Sequence, residues 1–309
     1  MSLKLQTPSF FYKKSIISFI LLPLSICFGT LVLIVYFCGI RRKTLKKPKV
    51  ICIGNFTAGG SGKTPVCLAI ANQLKNKSIK VCFLTIGYGR KSGGDLFIKT
   101  GNPDNITADV CGDEPLLLAK TADVFIVNRR HILPEQIENY DYIICDDDLW
   151  DNSLKYDVKI AVLSQKYGFG NGFILPSGPL RTFKWLASIF SDWLIVINDG
   201  KSNNSANKYI DYFAKKNKLI YCNIVPNLKF DKTKKYLAFA GLGNNNKFFD
   251  MLINNGYNVI KKCYFPDHYI YQKSDIDLLE QTAKNNNLVL ITTEKDCVIF
   301  ATVVDGSEK

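Results

Sequence analysis

Short apolar runs rich in β-branched and aromatic residues recur through the middle of the chain: KVCFLT, DVFIV, YIICD, KIAVLS and WLIVIN. Each has the length and composition of a buried strand. Helical stretches such as EPLLLAKTA alternate with several of them. That succession predicts an α/β fold, a mostly parallel sheet with helices on both faces. Ligands on such sheets bind beyond the C-terminal ends of the strands. The polar stretch NDGKSNNSANKY, Asn198 to Tyr209, reads as a boundary loop. Beyond it KKYLAFAGLG, NVIKKCYFPDH and LVLITTEKD supply further strand-like runs with helical patterns between them, a smaller second α/β unit. The expected organisation is an N-terminal segment over 1–40, a core over 41–210 and a C-terminal lid or substrate unit over 211–309.

The N-terminal segment has a different pattern. From Ser15 to Ile40 the chain carries no charge. A helix needs about 20 apolar residues to cross a hydrocarbon core, so the run predicts one transmembrane helix over about 15–40. Pro23 and Gly29 can kink it, and membrane helices tolerate both. The run is long for a signal peptide, and no small-residue cleavage site follows it. Arg41, Arg42, Lys43, Lys46, Lys47 and Lys49 follow the run, against Lys4, Lys13 and Lys14 before it. That asymmetry places the rest of the chain on the cytoplasmic side of an anchored protein. The same cluster suits anionic membrane lipids.

The strand-like VICI, Val50 to Ile53, runs into GNFTAGGSGKTP and then a helical pattern. Strand, Gly-rich loop and helix together are the context a phosphate-binding loop requires. Thr57, Ala58, Gly59, Gly60, Ser61, Gly62, Lys63 and Thr64 would wrap the phosphates of ATP. The glycines permit close backbone approach, Lys63 reaches the β- and γ-phosphates, and Thr64 ligates Mg²⁺. The general pattern wants glycine where Thr57 stands, so the loop departs from it at one position.

Such a loop needs a carboxylate at the end of a neighbouring strand. YDYIICDDD, Tyr140 to Asp148, ends in three aspartates, and Asp146 or Asp147 would face the metal. In CGDEP, Asp113 or Glu114 could take a proton from an attacking hydroxyl, although from this motif alone helix capping is the better reading of Asp113. His268, in FPDHY, could share a proton with a carboxylate. His131, in NRRH, reads as a surface residue.

Bulk composition narrows the classes. At 47% apolar and 22% charged residues the chain can bury a core and is not a disordered segment. The net charge of +13 suits an anionic partner. A lysine-biased composition gives the same excess, and no nucleic-acid recognition motif accompanies it. None of the ten cysteines forms a C-x-x-C pair, and only two histidines exist. That count argues against a zinc site, and the cysteines read as reduced core residues.

Several strings together resemble one family, the tetraacyldisaccharide 4'-kinases of lipid A biosynthesis. They are GNFTAGGSGKTP, GYGR (87–90), GDEPLLLA (112–119), GFGNGFILPSGPLR (168–181), AGLGN (240–244), FPDHY (265–269) and TTEKD (292–296). They stand in the family's order and cover most of the chain after residue 50. The family shares the threonine at Thr57. The resemblance implies an inner-membrane kinase that transfers the γ-phosphate of ATP to the 4'-hydroxyl of a tetraacyl glucosamine disaccharide 1-phosphate. It assigns ATP and Mg²⁺ to Lys63 and Thr64, and the base to Asp113 with His268. It gives metal binding and catalysis to Asp146 and Asp147, and nucleotide or phosphate contacts to Tyr88, Arg130 and Arg181. The chain departs from the family in three places. DDGFQH reads DDDLWD here (Asp146 to Asp151), the acidic residue after GPLR is Thr182, and the second histidine of PDHH is Tyr269. The alternative that these departures raise is a membrane-associated P-loop ATPase or nucleotide sensor with weakened transfer.

Overall fold

The structure is a computed structural model. It describes residues 8–38, 43–87, 90, 93–101, 106–129, 132–147, 149–225, 230–242, 245–266 and 269–297. The large sheet collects β1 (Lys49–Gly54), β2 (Val81–Thr85), β3 (Leu96–Ile98), β4 (Asp123–Ile126), β5 (Tyr142–Asp146), β6 (Val158–Ser164), β7 (Trp193–Ile197) and β8 (Leu219–Cys222). Their spatial order is β3-β4-β2-β5-β1-β6-β7-β8. Only the edge strand β3 runs antiparallel. A second, parallel sheet follows, with β9 (Lys235–Ala240) between β10 (Asn258–Tyr264) and β11 (Val289–Ile291).

Alternation along each strand sends neighbouring side chains to opposite faces, and both faces of the large sheet are apolar. One carries Ile51, Ile53, Phe83, Ile144 and Val162, covered by α3 (Lys63–Lys75) and α5 (Asp113–Ala119) through Val66, Cys67, Leu116 and Ala119. The short α4 (Ala108–Cys111) leads into α5. The other face carries Cys52, Leu84, Cys145, Leu163 and Val196. Its cover is largely irregular chain, with Phe56, Leu149, Leu180 and Phe190, joined by Tyr209 and Phe213 of α6 (Asn207–Lys215). The small sheet packs α7 (Asn245–Asn254) on one face and α8 (Lys273–Asn285) on the other. The expected break at residue 210 falls inside α6. β8 pairs with β7, so the large sheet continues to Cys222.

Among the described residues the expected single transmembrane helix is not found. The apolar run folds as α1 (Ile16–Ile20) and α2 (Leu22–Cys38), separated at Leu21. Among the described residues no helix is long and apolar enough to cross a membrane. Pro23 has no N–H to continue the α1 ladder and sits in the first turn of α2, where that loss is tolerated. The two helices also lie against the body. Ser25 Oγ is 2.8 Å from the Ile174 carbonyl and accepts from Ser177 N at 2.9 Å. Gly29 permits close approach: a Cβ there would meet Ile174 Cδ1 at 2.9 Å. The Tyr36 and Phe190 rings meet edge to face, with centroids 4.4 Å apart. Without a spanning helix, flanking charge assigns no inside or outside. Of that basic cluster, Arg41 and Arg42 lie outside the described residues, while Lys47 and Lys49 pair with Asp141 and Asp157.

Candidate active site

The loop between β1 and α3 sits where the strand pattern placed it. Asn55, fully buried, ties the loop together through its side-chain amide, to Ser61 Oγ at 2.9 Å and the Gly59 carbonyl at 3.3 Å. Gly62, at φ 88°, turns the chain into α3, so Lys63 and Thr64 open that helix. The helix N-terminus offers unpaired N–H groups and partial positive charge to an anion. Thr57 needs no glycine freedom. It is bridged in antiparallel fashion to Leu180, and Ala58 N donates to the Pro179 carbonyl at 2.7 Å.

The 168–181 segment therefore serves two surfaces. Ile174 and Ser177 hold α2, and Pro179, Leu180 and Arg181 hold the phosphate loop. The Arg181 guanidinium binds the Asp147 carboxylate in a bidentate fork, with both distances 2.9 Å. Lys63 Nζ lies 3.5 Å from the same carboxylate. Burial opposes charge on Asp147, but Lys63 and Arg181 outweigh it and hold the carboxyl below its ordinary range. Asp147 itself occupies the left-handed region at φ 61°.

Asp146 ends β5 beside Ile53 of β1 and is 5% exposed. Burial raises its carboxyl to about 7, with Glu114 adding to the rise and Lys63 opposing it. Its Oδ1 is buried without a hydrogen-bond partner. Burial, and then the neighbouring Asp146, pushes the Cys67 thiol of α3 well above its ordinary value. An orphaned carboxylate oxygen beside Lys63 and Cys67 of α3 suits a small hard cation that takes its other ligands from phosphates and water. Among the described residues no three His, Cys, Asp or Glu side chains could hold an ion by themselves.

Asp113 opens α5 after Gly112, which takes φ 90°, and it is buried. Its Oδ2 lies 3.2 Å from Lys295 Nζ. Glu114, the other candidate for the proton, acts through its charge on Asp146. Lys295 escaped the site assignment, although TTEKD contains it, because a lysine between Glu and Asp looks like a solvated charge. Tyr88, Arg130, His268 and Asp148 lie outside the described residues.

The departures from the family pattern have structural roles. Leu149 is buried against Gly54, and Trp150 Nε1 donates to the Asn55 carbonyl at 3.2 Å. Asp151 accepts from Ser153 N at 2.6 Å. Thr182 is buried, and Tyr269 OH donates to Asp275 at 3.0 Å.

The family model for tetraacyldisaccharide-1-P 4'-kinase matches residues 17–308. The chain belongs to that family. Tetraacyldisaccharide 4'-kinase from Rickettsia felis is 38% identical over 307 residues, covering 96% of this chain and 89% of the relative. The enzyme from Rickettsia conorii is 37% identical, covering 96% and 90%. The crystal structure of LpxK from Aquifex aeolicus in complex with ATP superposes with a TM-score of 0.71 at 26% identity. That match covers 92% of this chain and 90% of the other. Family and fold agree on an ATP-dependent kinase of lipid A biosynthesis.

Proposed function

We propose that the chain transfers the γ-phosphate of ATP to the 4'-hydroxyl of a tetraacyl glucosamine disaccharide 1-phosphate at a membrane surface. One observation carries this reading: the 174–181 segment joins the docked apolar helices to the phosphate loop. A lipid held on α1 and α2 is thereby brought beside Lys63 and Arg181.

Catalysis in such a transfer is mostly positioning and electrostatic. The loop amides and Lys63 take the phosphate charge, and Arg181 steadies Asp147. Mg²⁺ bound with ATP would spread charge from the β- and γ-phosphates, and Asp146 and Thr64 are the residues to hold it. Asp113, on a different element, takes the proton of the acceptor hydroxyl.

The membrane contact is interfacial. The outward face of α1 and α2 carries Ile16, Phe19, Ile20, Leu24, Leu31 and Val35, with Ile16 79% and Val35 71% exposed. Trp185 and Ile189 add exposed apolar area close by. Lys13, Lys14 and Lys184 give this face a basic rim for anionic headgroups. On this reading the protein works at the inner membrane surface, where its lipid acceptor would be held.

The test uses the full chain with ATP, Mg²⁺ and two acceptors, the disaccharide 1-phosphate and its 4'-deoxy analogue. Phosphate on the first alone supports the assignment. Equal labelling of both contradicts it.

A further inference from the structure

Lys295 comes from the second sheet, on a helical turn over 294–297 that follows β11. Its mounting is unusually well tied. The neighbouring Asp296 is fully buried and accepts from three segments: Gly241 N at 3.0 Å, Tyr271 OH at 3.1 Å and Thr293 Oγ1 at 2.6 Å. Thr292 Oγ1 donates to the Phe239 carbonyl at 2.7 Å. The backbone that launches Lys295 is therefore fixed to both β9 and the Gly241 turn.

From that mount Lys295 Nζ reaches Asp113 Oδ2 at 3.2 Å, with side-chain exposures of 16% and 8%. Solvent-exposed pairs such as Lys273–Asp277 contribute little, whereas a largely desolvated pair fixes both geometry and charge. The two sheets have another link, Lys247 to Asp199 at 2.8 Å, where Asp199 also holds Ser164 and Lys166 N. Joining the sheets does not by itself require the buried carboxylate that opens α5. Beside Asp113 stand its neighbour Glu114 and the Cys111 thiol, which burial pushes up to about 12 with Asp113 adding to the rise.

We infer that Lys295 is a positioning residue for Asp113. It orients the carboxylate, keeps it ionised to receive the acceptor proton, and makes the seating of the second sheet a condition for that proton transfer. The inference rests on the proposed role of Asp113 as base. The proton passes from the acceptor hydroxyl to Asp113 as the new O–P bond forms and the β,γ bond to ADP breaks.

The test compares wild type, Lys295→Met, Lys295→Gln, Lys295→Arg and Asp113→Asn, with ATP binding and thermal melting confirming the fold. Lys295→Met is expected to lower kcat by about ten- to a hundredfold with the KM for ATP little changed. Loss of the ammonium raises the pKa of its partner carboxyl, so the acidic limb of the kcat/KM profile should move up by about one pH unit or more. Lys295→Gln should do the same, and Lys295→Arg should restore most of the rate and return the limb. A folded Lys295→Met with wild-type kcat and limb overturns the inference. So does a loss of rate that follows melting temperature while the limb stays put. Normal turnover by Asp113→Asn overturns the base assignment itself, and the inference with it.

Discussion

Arg181 grips Asp147 through two parallel hydrogen bonds of 2.9 Å, while Lys63 approaches the same carboxylate at 3.5 Å. One carboxylate thus keeps two cations gathered at the mouth of the phosphate loop. A lysine cannot reproduce a planar fork. Arg181→Lys should therefore fold normally yet lose about tenfold or more in kcat/KM, with Lys63 less well held. Steady-state kinetics beside a melting curve check this, and an unchanged rate would count against the cluster.

Asp146 gives a pH dependence of stability. Its carboxyl stands at about 7 in the folded chain against an ordinary 3.8. Between those values the folded protein keeps the proton and the unfolded chain loses it. The contribution is whole below about 4 and fades as pH rises through about 7. Asp147 is shifted the other way, so its contribution is lost only at lower pH, below the ordinary carboxylate range. Melting without nucleotide or metal should therefore weaken from pH 5 to pH 8, and Asp146→Asn should flatten that slope. A steeper slope in the variant would contradict the assignment.

The sheet, the phosphate loop and the acidic strand end were legible because each depends on local pattern: β-branched runs, glycines before Lys63, aspartates after Cys145. The family resemblance named Asp113, Asp147 and Arg181 but not the Arg181–Asp147 and Lys295–Asp113 pairings. The fork between Arg181 and Asp147, and the Lys295–Asp113 pair, join residues far apart in sequence, so periodicity carries no trace of them. The N-terminal run shows the opposite failure. Its apolar count was right, but the run folds as two helices held against the body, because Ser25, Gly29 and Tyr36 are docking residues that a hydropathy count treats as tolerated exceptions.

Ser25 should matter more than a surface serine. In Ser25→Val, Ser177 N loses its acceptor in a buried setting, which costs about 1–3 kcal/mol. The expected result is a lower melting temperature and faster proteolysis between α1 and α2. An unaltered pattern would mean that α2 is not held in this way.

The exposed face of those helices is predicted to bind bilayers. Ile20→Lys combined with Leu24→Lys leaves the buried side untouched and places charge on the outward face. Sedimentation with anionic vesicles should drop severalfold while ATP binding persists. Undiminished sedimentation would remove the interfacial reading.

Gly178 tests the segment that links the two surfaces. A Cβ there would lie 2.1 Å from Asn171 Oδ1 and 2.5 Å from the Phe173 carbonyl. Gly178→Ala should destabilise the protein by about 1–3 kcal/mol and weaken both vesicle binding and ATP binding. Loss of one without the other would mean that the segment does not couple them.

The central claim is tested most directly by mass spectrometry of the lipid after the full chain has been incubated with ATP, Mg²⁺ and the tetraacyl disaccharide 1-phosphate. The account predicts one added phosphate on the non-reducing glucosamine, one ADP for each phosphate transferred, and no transfer by Lys63→Ala. ADP formed with free phosphate and an unmodified lipid would contradict it.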